Sequence, residues 1–370
     1  MQSLRLVAVA TLSATLLLTA CSDSTDDGAS TGSSSGEATS AGGDPAQSTS
    51  GDAASATGDT GEATAGADDD VVTAAPVGEG VISLEEAEGL ARTLLTRAAE
   101  STQVDGEPAR QGIVTAYRGA AREAALAADQ LEPVAGEPPE RNLEADPVEP
   151  NVLAVSRADE QSPELILVQT TPKGDLPELH LLSRPATGGG FRIMWSAPML
   201  PETEVGTFDR RSVGSPVLRS GGGDFVTPPG TALTGLADYI DYPPSDAPDV
   251  RTNGYAPLVR KSATEQAQQV AAQATLRETN SLTKDDYWTL VQEDGTGITF
   301  GVLDRETVFD VRAGSQLIPP DTFTTFNDDE VLTDRATLDT LVFVAMRLPA
   351  QDGPPELIAA REQIVGASGS

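Results

Sequence analysis

The sequence holds one cysteine and one histidine in 370 residues. A lone thiol forms no intrachain disulfide, and the Cys- and His-rich zinc sets are excluded by count. A Ser–His–Asp system would have to use His180, the single imidazole. It stands in PELHLLSR between Leu179 and Leu181, and strand alternation turns those two leucines toward a core. The same alternation predicts His180 as an exposed strand residue on the other face. No G-x-S-x-G elbow accompanies it. The glycine runs 188–190 and 221–223 lack the lysine and Ser/Thr of a P-loop and read as turns. Aromatic residues make up only 4% of the chain. Trp195, Trp288, Tyr117, Tyr287 and Phe191 are therefore predicted core anchors. Basic residues are scarce too, with 24 Lys+Arg against 57 Asp+Glu and a formal charge of −33. That balance argues against nucleic acid and against anionic surfaces as partners. Long apolar runs are absent beyond Leu6–Leu18, which is shorter than the roughly 20 residues of a membrane span.

The Leu6–Leu18 run follows Arg5 and ends at small residues, the pattern of a secretory signal peptide over residues 1–20. Leu18-Thr19-Ala20-Cys21 resembles the lipobox of bacterial lipoprotein precursors. That resemblance implies cleavage before Cys21 and diacylglyceryl transfer to its thiol. Two acyl chains, at about 0.8 kcal/mol per buried methylene, hold a protein on a bilayer without a transmembrane helix. The mature chain would then have no free thiol and no cysteine nucleophile. Residues 21–76 are almost wholly Ser, Thr, Gly, Ala and acidic residues, with no aromatic ring. Such a segment buries too little apolar surface to offset backbone ordering and reads as a disordered acidic tether. Gly/Ser-rich chain statistics give it a reach of roughly 40 Å.

Ordered patterning begins near Val77. Ser83 and Glu86 have the spacing of a capping box, and Leu84, Ala87, Ala91, Leu94, Leu95 and Ala98 follow at helical intervals. The alanine-rich stretch 113–131 reads as one or two helices, with Gly112 and Gly119 as weak points. Four strand candidates follow at 151–157, 164–170, 178–184 and 190–196, separated by turn-rich segments, as in an antiparallel meander. Phe191, Ile193 and Trp195 alternate onto one face of the last. Residues 206–259 carry little periodic signal apart from a short helix at 233–240, and read as a connecting segment. A second capping-box spacing, Ser262 to Glu265, opens a helical pattern extending through 266–282. Strand candidates follow at 287–292, 297–304, 307–311 and 339–349, and PPELIAAREQIVG (354–366) closes the chain. The expected fold is α+β. It consists of two tandem units, 77–205 and 260–370, each with helices packed on a curved antiparallel sheet.

The stretches AYRGAAREA (116–124), RIMWSAPMLP (192–201), NGYAPLV (253–259) and LVFVAMRLPAQDG (341–353) resemble a group of actinobacterial surface lipoproteins of unknown function. The resemblance covers most of residues 80–370 and implies a helix-backed curved sheet per unit, similar to cystatin or NTF2-like folds. No constellation of catalytic residues stands out. The acidic stretches 284–288 and 327–330 lack the spacing of a calcium loop, and no metal or other cofactor is expected. The expected role is a non-catalytic, lipid-anchored binding module on the extracytoplasmic face of a bacterial membrane, engaging an envelope protein or ligand. A carboxylate-dependent hydrolase or small-ligand binder with an internal pocket, lined by Tyr117 and Trp195, is the alternative. A structural envelope protein is the third.

Overall fold

The computed structural model describes residues 80–134, 149–158, 163–172, 176–220, 222–246, 249–283 and 287–370. The predicted signal peptide (1–20), with Leu18, Thr19 and Ala20, and Cys21 with the predicted tether (21–76), lie outside the described residues.

Helix α1 (Leu84–Ser101) starts at the predicted capping box. The Glu86 N–H donates to Ser83 Oγ and the Ser83 N–H donates to the Glu86 carboxylate, each at 3.3 Å. Ala87, Ala91, Leu94, Leu95 and Ala98 form its buried stripe. Helix α2 (Glu107–Ala116) and helix α3 (Gly119–Leu131) divide the next helical stretch at Tyr117–Arg118. Gly112 is not the break. A Cβ there would meet Ser101 Cβ at 2.7 Å, so this glycine lets α1 and α2 approach.

Strands β1 (Asn151–Val155), β2 (Glu164–Thr170), β3 (Glu178–Arg184) and β4 (Arg192–Pro198) form the expected antiparallel meander in chain order. Alternation gives this sheet two apolar faces. Ile166, Val168, Leu182 and Ile193 pack against α1, while Leu165, Leu167, Leu179, Leu181 and Trp195 face away from it. Phe191, Ile193 and Trp195 do not share a face as predicted. Leu181 pairs with Trp195 but Leu182 pairs with Ile193, so the strand carries one extra residue at Met194. That β-bulge reverses the alternation and turns Met194 and Trp195 together toward the far side.

The second sheet contains β5 (Val217–Arg219), β6 (Ala274–Leu282), β7 (Trp288–Val291), β8 (Gly297–Val311), β9 (Arg335–Leu348) and β10 (Glu356–Gly369). Its order is β10-β9-β8-β7-β5, with β6 pairing the second part of β8. Helices α4 (Pro229–Tyr239) and α5 (Tyr255–Val270) cover its outer face through Leu233, Leu236 and Tyr255 against Leu303, Val342 and Val344. The short α6 (Asp321–Thr324) closes one end with Phe323 against Leu332 and Phe309.

Several boundaries differ from the expected ones. Residues 206–259 are not a bare connection, because β5 pairs with β7 and α4 belongs to the core. Ser262 lies inside α5 rather than capping it. The helix begins after Gly254, whose positive φ of 85° suits glycine, and Pro257 sits in the first turn where no N–H donor is needed. The helical pattern predicted through 266–282 ends at Val270, and β6 alternates buried and exposed residues from Ala274 onward.

The two expected units exist as layers of one body. The inner face of the meander lies on the inner face of the second sheet, with Leu165, Leu181 and Trp195 against Phe300, Phe343 and Ile358. The layers run helix, sheet, sheet, helix, and all described residues fall in a single compact unit. Continuous apolar runs such as Leu165–Val168 and Leu341–Met346 are the sequence form of strands covered on both faces.

Candidate functional site

The bulge at Met194 shapes an inter-sheet cavity with room for a ligand. Its Ile193 carbonyl accepts the Arg118 N–H at 2.9 Å, and Tyr117 bridges Ile193 in parallel. The link between α2 and α3 is thereby docked on the edge of β4. A cavity of about 150 Å³ opens beneath it. Arg118, Gly119 and Ala120 of the α3 start line one side. Leu181, Ser183, Met194 and Trp195 come from the meander, and Thr283, Trp288, Phe300 and Val302 come from the second sheet.

The ring walls are fixed by specific contacts. Trp195 Nε1 donates to the Gly301 carbonyl at 3.1 Å, and its ring meets Phe300 edge-on at 5.1 Å between centroids. Trp288 is only 6% exposed, and its indole N–H has no acceptor among the described residues. The Arg219 guanidinium lies 5.4 Å from the Trp288 ring centre. Arg118 donates from Nη1 to Ser183 Oγ at 3.2 Å.

Trp195 lines this inter-sheet cavity, and Tyr117 is not among its lining residues. Residues 117 and 118 are both extended, so their side chains leave on opposite sides. Arg118 takes the cavity side and Tyr117 is turned away. Burial raises the Tyr117 hydroxyl above its ordinary pKa, with the Arg361 charge opposing. Sequence reasoning missed Arg118, Ser183 and Trp288 as a group. Only the bulge and the docking of the two sheets bring them together, and neither has a local signature.

His180 points away from Leu179 and Leu181, as alternation requires, but it is buried at 6% exposure rather than exposed. Its Nε2 lies 2.9 Å from Thr170 Oγ1 and its Nδ1 lies 2.9 Å from Ser196 Oγ. The Ser196 hydroxyl donates to Glu178 Oε1 at 2.6 Å. One hydroxyl has one proton, so His180 must donate from Nδ1 to Ser196 and accept at Nε2 from Thr170. This is the reverse of the arrangement in which imidazole takes a serine proton. Burial lowers the His180 pKa, against the Glu178 charge, and keeps the ring neutral. None of the four residues lines the cavity. The chain is a closed set of hydrogen bonds that satisfies buried polar atoms.

A second polar network lies under α5. Arg305 holds Glu362 through two hydrogen bonds of 2.8 and 3.1 Å and donates from Nε to Asn280 at 2.9 Å. Tyr255 donates to the same Glu362. Burial acts to raise the Glu362 pKa, but the Arg305 charge and hydrogen bonds outweigh it and hold the carboxyl below its ordinary range. Neighbouring Glu278 goes the other way. Burial raises its pKa, and its Oε2 has no partner while Oε1 accepts from Thr307 at 3.2 Å. A raised folded pKa destabilises the folded state above that value and ceases to do so below the unfolded one. Glu278→Gln should therefore raise stability, and with it Tm, near neutral pH. The gain should vanish on acidification through the carboxyl range; an equal gain at all pH values would contradict this assignment.

Among the described residues, no group of three or more His, Cys, Asp or Glu is placed to hold a metal ion. Asp328, Asp329 and Glu330 are exposed, and residues 284–286 lie outside the described residues. No described helix is long and apolar enough to cross a membrane. Compared with known proteins, the chain matches no family model, no curated protein and no solved structure.

Proposed function

We propose that the chain is a lipid-anchored, non-catalytic binding protein on the extracytoplasmic face of a bacterial membrane, holding a small ligand in the inter-sheet cavity. The cavity carries the reading: about 150 Å³ enclosed by both tryptophans of the chain, Phe300 and a single arginine. Concave, mostly apolar sites with a few convergent polar groups are the usual form of small-molecule sites. Among the described residues no Asp or Glu lines it, which supports binding over carboxylate chemistry. The lipobox Leu18-Thr19-Ala20-Cys21 and the acidic tether support the anchored location, as does the resemblance to actinobacterial surface lipoproteins.

Two measurements test the two halves of this reading. Cys21→Ala should lose the lipid mass and leave the membrane fraction; unchanged membrane association would refute the anchor. Trp195 and Trp288 are the two tryptophans of the chain and both face the cavity, so intrinsic emission reports its occupancy. A small neutral aromatic such as phenylacetamide should shift that emission saturably. A flat titration with every aromatic probe would remove the ligand-binding function.

A further inference from the structure

The cavity is chemically two-sided. Its interior is formed by Trp195, Trp288, Phe300, Val302 and Leu181. Its other side is the start of α3, a helix of 13 residues with no side-chain cap and no acidic residue in its first turn. Such a terminus presents unpaired N–H groups and about half a positive charge. The Arg118 guanidinium stands beside it. Ser183, 1% exposed, takes one of its N–H groups, and Arg118 pairs with no carboxylate among the described residues. Independently, Trp288 places a buried N–H without an acceptor on the cavity wall. A buried donor left unmet is unfavourable, and a ligand acceptor would relieve it.

Volume limits the ligand. A cavity of about 150 Å³ is the size that encloses one benzene. A long acyl chain would extend beyond that volume into solvent, and a sugar would leave its hydroxyls unpaired against the rings. We infer that the site takes a small aromatic monocarboxylate. Its ring lies among Trp195, Trp288 and Phe300, and its carboxylate rests on Arg118, the first-turn N–H groups of α3 and the Trp288 indole N–H. The inference depends on the cavity being a ligand site.

The test uses the full chain and three probes of one shape: phenylacetate, neutral phenylacetamide and cationic 2-phenylethylamine. Tryptophan emission and calorimetry follow binding. Phenylacetate should bind at least about tenfold more tightly than phenylacetamide, as expected for a hydrogen bond to a charged group, and the amine least. Arg118→Gln should remove that preference, weakening phenylacetate at least about tenfold more than phenylacetamide. Arg118→Lys, which keeps the charge, should restore part of it. Equal binding of acid and amide, or an acid preference that survives Arg118→Gln, overturns the carboxylate assignment and leaves the ligand-binding function standing. Binding of none of the three overturns both.

Discussion

Phe343→Ala is expected to cost about 3–5 kcal/mol and to unfold both sheets in a single transition. Phe343 is 1% exposed on β9 and packs in the cluster that holds Trp195, Leu181, Phe300 and Ile358. Its ring therefore serves the meander and the second sheet at once. The layers cannot close over the space left by a lost ring without losing their register. If each half were self-sufficient, the variant would melt the second sheet and leave the meander native. Denaturant unfolding followed by far-UV dichroism and by tryptophan emission decides between these outcomes. Coincident transitions with a lowered midpoint support the shared core, whereas two separated transitions would sink it.

Arg305→Met should be about as damaging, with a loss of about 3–5 kcal/mol, for an electrostatic reason. The Arg305 side chain is 6% exposed and the Glu362 side chain 22%. Removing the guanidinium leaves a desolvated carboxylate held only by the Tyr255 hydroxyl. The double variant Arg305→Met/Glu362→Leu should recover most of the loss, because apolar residues of similar volume replace a buried pair with little net cost. The pH dependence follows from the depressed Glu362 pKa. Its contribution in the native protein is complete above the unfolded carboxyl value and is lost as pH falls through the lower folded value. In Arg305→Met, burial is opposed only by the Tyr255 hydrogen bond and the sign reverses, so that variant gains relative stability on acidification. The gap between the two proteins should narrow from about pH 7 to about pH 4. A gap that stays constant would show that the loss is packing rather than charge.

Most local elements were legible because their signals are local. The Ser83–Glu86 box, the alanine stripe of α1 and the four meander strands depend on residues within a turn or a pleat of one another. The misread elements had their cause at a distance. Ser262 has the right neighbour at Glu265, yet the burial of Tyr255 and Ala256 extends α5 upstream of it. His180 has the right orientation, yet buried partners on β2 and β4 enclose a face expected to meet water. The candidate site was half visible. Trp195 was recognised as a scarce ring, but the bulge that turns it inward leaves no mark in RIMWSAP. Arg118 sits in a stretch that reads as plain helix.

The hydrogen bond from Trp195 to the Gly301 carbonyl spans 106 residues of sequence, and nearly every wall of the cavity is paired across a comparable distance. Contacts so far apart are closed late and slowly, because a long loop must be ordered before they form. As the chain is synthesised, the meander and Arg118 emerge well before Phe300 and Trp288. Until the later sheet arrives, the inner face of the meander, with Leu165, Leu167, Leu179 and Leu181, has nothing to cover it. That exposed face is the hazard of this topology while the chain is still incomplete, and the cavity is among the last features to be completed.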